Sequence, residues 1–153
     1  MPCGLAAPQE LPMTSADIQL VRNGFAALAA DRDGFAAVFY ERLFTLDPSL
    51  RALFATDMKT QGIKLMAALA HVVRSLDKLD AVIVEVRALA RRHVAYGVER
   101  EHYGLVGEAL IGALADRLPG FDARARAAWS AAYAALAGAM IDASGYSLKQ
   151  SAA

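Results

Sequence analysis

Cysteine is nearly missing from the 153-residue chain: Cys3 stands alone. An internal disulfide is therefore excluded, and so is covalent cofactor attachment through a C-x-x-C-H motif. One thiol says little about compartment. Charge of one sign is missing too, since 16 Lys and Arg balance 16 Asp and Glu. That leaves no footprint for nucleic acid and no polybasic patch for a membrane. No apolar run reaches the length of a membrane span. The first residues, MPCGLAAPQELP, lack the basic region and apolar core of a secretory signal. A cytoplasmic protein is the expectation. Strand-like alternation and internal repeats are also missing.

What is present reads as helix. Hydrophobic residues make up 56%, which excludes disorder. Alanine, the best helix former, is abundant, and Pro and Gly gather at a few joints. The length suits one domain with a real core. We expect an irregular extension over 1–13, a helical domain over 14–143 and a flexible tail over 144–153.

Thr14 with Asp17 opens a helix, and Ile18, Val21, Phe25 and Leu28 form its inner face. A break at 31–34 precedes a helix over about 34–45, whose apolar face carries Ala36, Tyr40, Leu43 and Phe44. Asp47-Pro48 restarts a short helix ending near Phe54. A longer one begins near Asp57, with Met58, Gly62, Leu65, Leu69, Val72 and Leu76 at spacings of 4, 3, 4, 3 and 4. After a joint at 77–79, a helix over about 79–94 places Val82, Val86, Leu89 and His93 on one face. Another runs from about Arg100 to Pro119-Gly120. The last spans about 122–143 with Trp129, Tyr133, Leu136 and Met140 inward, and Gly145 suits its end. The expected class is all-α, with about seven helices.

Four positions stand out chemically. His93 sits at the end of an apolar helix with Gly97 one turn beyond, where the chain can turn. It is either a core or rim residue or a ligand on an apolar wall. Tyr40 points inward, and its hydroxyl needs a partner, such as a backbone carbonyl. Gln61 stands at the edge of the long helix's stripe, beside Gly62. A glycine in mid-helix costs about 1 kcal/mol, and close approach by Ala36 would explain it. Lys64 reads most simply as a solvated lysine at the helix boundary. Arg91 and Arg92 either favour the helix C-terminus through its dipole or reach an anionic ligand.

Periodicity alone does not bring these residues together; a resemblance does. FYERLF, DPSLRALF, TQGIKLM, ARRHVAYGV, EHYGLVGEALI and AWSAAYAALAGAMI occur in the order and spacing of a bacterial single-domain globin. The chain resembles the haem domain of the flavohaemoglobins over about 15–143. The resemblance implies a globin fold around haem b, with His93 as the proximal iron ligand. It implies that Phe54 packs on the haem face, that Tyr40 and Gln61 are the distal tyrosine and glutamine, and that Leu65 lies beside the bound gas. Leu89 and Val98 join the lining, Tyr103 matches the tyrosine that holds the proximal histidine, and Lys64 and Arg92 are candidates for the propionates. A bound dioxygen gains negative charge, and a hydroxyl or amide donor stabilises it in a low-dielectric pocket. His71 should point elsewhere and His102 should lie on the surface.

Two departures from the flavohaemoglobin pattern shape the functional expectation. The chain ends near 153, so we expect no flavin- and nicotinamide-binding module, and any turnover would need a separate reductase. The glutamate that partners the proximal histidine in that group would fall near Ser144, and Asp142 is two residues short. A backbone carbonyl becomes the expected partner of His93, and peroxidase-like chemistry becomes less favoured. The resemblance implies a monomer or weak homo-oligomer that binds dioxygen, carbon monoxide and nitric oxide. Its role is that of an oxygen carrier, store or scavenger, with nitric oxide dioxygenase as the alternative.

Overall fold

In a computed structural model, residues 13–54 and 56–145 are described, and all their regular elements are helical. Six α-helices are α1 (Ser15–Leu28), α2 (Arg32–Leu46), α3 (Met58–Arg74), α4 (Ile83–Ala95), α5 (His102–Arg117) and α6 (Ala123–Ser144). Short 3₁₀ segments at Ala29–Asp31, Pro48–Leu53 and Leu76–Val82 join them. No described helix is long and apolar enough to cross a membrane.

The helix starts follow local chemistry. The Thr14 side chain accepts from the Asp17 N–H, and the Asp17 carboxylate accepts from the Thr14 N–H at 3.2 Å, a reciprocal capping box. Asp57 caps α3 by accepting from the Thr60 N–H, and Asp122 caps α6 by accepting from the Ala125 N–H. The short Asp47-Pro48 helix is present, but with 3₁₀ winding, and Asp47 accepts from the Ser49 N–H.

Three boundaries differ from the sequence reading. The helix expected from residue 79 starts at Ile83, because the backbone leaves helical geometry at Lys78 (φ −153°, ψ 47°) and only 3₁₀ turns bridge the kink. The joint expected at 77–79 is therefore there, and what the sequence reading missed is that 3₁₀ winding continues to Val82. The second helix begins at Arg32, two residues before Gly34, since Asp31 alone breaks the geometry (φ −144°). Ser144, assigned to the tail, is the last residue of α6. The remaining terminal expectations fall on 1–12 and 146–153, outside the described residues.

Packing divides the interior in two. Helix α2 packs on α3 and α5, while α4 packs on α6. The larger core holds Val21, Phe35, Phe39, Tyr40, Leu43, Met66 and Leu114 from α1, α2, α3 and α5. The smaller holds Val86, Ala90, Tyr103, Ala137 and Met140, from α4, α5 and α6. Tyr133 borders both. Helices α3 and α4 therefore anchor in different cores, although sequence joins them directly.

Candidate functional site

One wall forms where α2 crosses α3. Tyr40 is buried on the inner face of α2, as its spacing from Ala36 and Leu43 demands. Its ring meets Phe54 edge-on at 5.4 Å and stacks on Phe44 at 5.8 Å, while Phe44 and Phe54 lie 5.6 Å apart. These offset and edge-on pairs suit aromatic quadrupoles. Phe44, one turn after Tyr40, completes this triangle. Sequence reasoning placed it on the inner face without assigning it to the site.

The Tyr40 hydroxyl lies 3.5 Å from the Gln61 carbonyl oxygen, at the outer limit of a hydrogen bond. A backbone carbonyl was the partner anticipated for it. Burial raises the phenol above its ordinary pKa, and a hydrogen bond with the Gln61 side chain partly opposes this. The hydroxyl thus stays protonated and can donate. Gln61 Oε1 accepts from Thr56 Oγ1 at 2.7 Å. Beside it, a Cβ on Gly62 would come within 3.1 Å of the Ala36 Cβ. Gly62 therefore permits the close approach of α3 to α2 for which the mid-helix glycine was a signal. Leu65, half-buried one turn on, packs against the same core.

A second group lies at the end of α4. His93 is half-buried, and its Nδ1 lies 2.9 Å from the Leu89 carbonyl oxygen. The carbonyl can only accept, so Nδ1 carries the proton and Nε2 is left with its lone pair. Nε2 has no hydrogen-bond partner among the described residues. Burial lowers the His93 pKa, Arg92 adds to this, and the Leu89 bond opposes it, so the ring is neutral near pH 7. The carbonyl partner matches the expectation drawn from the missing glutamate. Ser144 instead donates to Ile141 O at 2.7 Å, and Asp142 is exposed.

Gly97 explains why α4 stops there. At φ 96° it takes the left-handed conformation that a Cβ would strain. The Val98 N–H then donates to His93 O and the Gly97 N–H to Val94 O, both at 3.0 Å. This Schellman closure puts His93 in the last turn and folds Val98 back onto the helix. Val98 joins Leu89 and buried Tyr103 around the smaller core.

The anticipated residues thus form two groups, Tyr40, Phe54, Gln61 and Leu65 on one wall and Leu89, His93, Val98 and Tyr103 on the other. No hydrogen bond or ring contact joins His93 to Tyr40 or Gln61. Lys64 and Arg92 are exposed, and neither forms an ion pair among the described residues. His71 is exposed, as expected. His102 corrects the surface assignment: it is half-buried, and its Nδ1 accepts from the Glu99 N–H at 2.9 Å, closing the turn into α5. Thr56 gave no sequence signal. It precedes α3, outside any helical period.

These residues fit haem better than a bare metal ion. No group of three or more His, Cys, Asp or Glu that could hold a metal exists among the described residues. A metal held by His93 would therefore arrive inside its own chelating ring, needing one protein ligand. Phe54, Leu65, Leu89 and Val98 are apolar yet only half-buried. They leave apolar surface at both groups that a flat apolar macrocycle could cover.

Comparison with known proteins agrees. The globin family model matches residues 37–140. The chain belongs to the globin family, whose fold it has. It is 31% identical over 137 residues to a flavohemoprotein of Vibrio cholerae, covering 87% of this chain and 35% of that protein. It is 28% identical to neuroglobin of Danio rerio over 84% of this chain and 90% of that one. A bacterial globin structure from Campylobacter jejuni superposes with a TM-score of 0.77 at 26% identity, over 89% of this chain and 99% of that one. The chain spans about a third of the length of the flavohemoproteins it matches.

Proposed function

We propose that the protein is a haem b globin that reversibly binds dioxygen, carbon monoxide and nitric oxide, serving as an oxygen carrier, store or scavenger. The observation that carries this reading is His93: a neutral imidazole with Nδ1 committed to Leu89 O and Nε2 free. When bound, haem would supply the iron chemistry of gas binding. His93 holds the group by Nε2, and the Leu89 carbonyl fixes the ring's tautomer and tilt. Phe54, Leu65, Leu89, Val98 and Tyr103 exclude water. Lys64 and Arg92 pair with the propionates at the rim. Tyr40 donates its hydroxyl proton to the negative ligand, and the Gln61 amide supplies a second donor. Such bonds gain strength in an apolar pocket and slow ligand escape.

A carbonyl on Nδ1 makes His93 less electron-rich than a carboxylate would, which disfavours peroxidase-like chemistry. A second reading is supported by the two donors and the flavohemoprotein relatives. It is a nitric oxide dioxygenase, in which Tyr40 and Gln61 would hold dioxygen by hydrogen bonds and haem would supply the redox chemistry that converts nitric oxide to nitrate. Turnover would depend on electrons from a separate flavin reductase.

The optical spectrum tests the first reading. Reduced protein under argon should show one broad visible band that shifts with carbon monoxide. Absence of haem bands after reconstitution would overturn it. Sustained nitric oxide consumption with a generic flavin reductase would favour the dioxygenase; one turnover only would remove it.

A further inference from the structure

We propose that Thr56 is a positioning residue that sets the direction of the Gln61 amide, so that the site presents amide N–H and not amide oxygen to the bound gas. The inference deepens the reading above and rests on it.

A carboxamide is nearly symmetric in shape and opposite in chemistry at its two ends. Near a partly negative ligand, Nε2 attracts and Oε1 repels. A glutamine is useful there only if something fixes its orientation. Tyr40 cannot do so alone, because its hydroxyl can donate or accept.

Thr56 supplies the asymmetry. Its Oγ1 lies 2.7 Å from Gln61 Oε1, a distance typical of O–H···O and short for N–H···O. This is its one side-chain hydrogen bond among the described residues. The Thr56 hydroxyl therefore donates to Oε1, and both Nε2 protons remain for other partners. The Tyr40 hydroxyl, 3.5 Å from Gln61 O, is the polar group across the wall. Donation runs from Thr56 to the amide and from the amide towards Tyr40 and the ligand. Successive bonds in one direction polarise each other. A flipped amide would instead offer Oε1 to the Tyr40 hydroxyl and capture the proton the ligand needs.

The backbone supports this reading. The Asp57 side chain caps α3 through the Thr60 N–H, and the Asp57 carbonyl accepts from the Gln61 N–H at 2.9 Å. The Gly62–Ala36 approach presses the same turn against α2. The Gln61 main chain is thereby fixed from two sides, and Thr56 fixes the side-chain end.

Thr56→Val keeps the shape and removes the hydroxyl, Thr56→Ser keeps the hydroxyl, and Gln61→Leu removes the amide. The infrared carbon monoxide stretch of the reduced holoprotein and the dioxygen off-rate report on donors at the ligand. The Gln61 side-chain amide resonances of the haem-free protein report on its orientation. Thr56→Val should raise the off-rate about fivefold, the effect of one lost hydrogen bond. It should also move the stretch towards the Gln61→Leu value and shift or broaden the amide pair. Thr56→Ser should restore all three. If Thr56→Val matches the wild type while Gln61→Leu does not, the inference is overturned and the gas-binding reading stands. If Gln61→Leu is also silent, Gln61 is not at the ligand and both its distal role and the inference fall.

Discussion

The two walls of the site reach their geometry by different routes. Around Tyr40 and Gln61, polar groups from separate segments converge: α2 supplies Tyr40, α3 supplies Gln61, and the approach to α3 supplies Thr56. Three aromatic rings hold them against the larger core. Around His93 nearly everything is local: Leu89 is one turn back, and Val98 closes the helix five residues on. The wall that holds one strong ligand can be built from a single helix end. The wall that discriminates by hydrogen bonding needs long-range packing. Damage should therefore spread differently on the two sides.

The largest expected effect is on the local wall. His93→Ala should abolish stable haem retention, read by absorbance after gel filtration, and normal retention would end the proximal assignment. Next comes Tyr40→Phe, which keeps the ring packing and loses the donor. The dioxygen off-rate should rise about 10- to 100-fold, as for a hydrogen bond to a charged acceptor. An unchanged rate in stopped flow would place the hydroxyl away from the gas.

Gly62→Val tests the packed wall without touching a polar group. A side chain there meets the Ala36 Cβ, which an ideal Cβ already approaches to 3.1 Å. Overpacking should cost about 1–3 kcal/mol in chemical denaturation, with Tyr40 and Gln61 displaced together. Equal stability would mean α3 is free to slide.

The smallest effect is a pH contrast in the haem-free protein. His93 has a folded pKa lowered by burial, so the unfolded chain binds its proton more readily. Its contribution to stability is full above about 6.5 and is lost as pH falls from there towards the folded value. Asp57, capping α3, has its carboxyl held below 3.8 chiefly by the hydrogen bonds from Thr60. Its contribution is kept until pH falls through the carboxylate range. Denaturation at pH 7.5 and 5.5 should thus weaken the wild type and spare His93→Leu. An equal loss in both would remove His93 as the source.

Legibility followed the same division. The Leu89–His93 spacing and Gly97 were readable because one helical turn puts them in contact whatever the rest of the fold does. Tyr40 and Gly62 were readable as inward-facing, each on its own helix. The mid-helix Gly62 pointed to close approach by Ala36, but that Tyr40 and Gln61 share a site was inferred only through the motif resemblance, because periodicity carries no information on which two faces pack. Phe44 and Thr56 escaped assignment for that reason: one looked like ordinary core, and the other lies outside any helical period.

By itself the sequence determined the helical class, the caps at Thr14, Asp57 and Asp122, the apolar stripes, and a histidine in the last turn before a left-handed glycine. These depend on bonds within a few residues, where spacing is enough. Only the tertiary structure decided that α3 anchors in one core and α4 in another. It alone set Tyr40 against the Gln61 backbone and closed the aromatic triangle with Phe54. Those arrangements rest on contacts between segments that sequence separates, and only close packing selects among the faces that could have met.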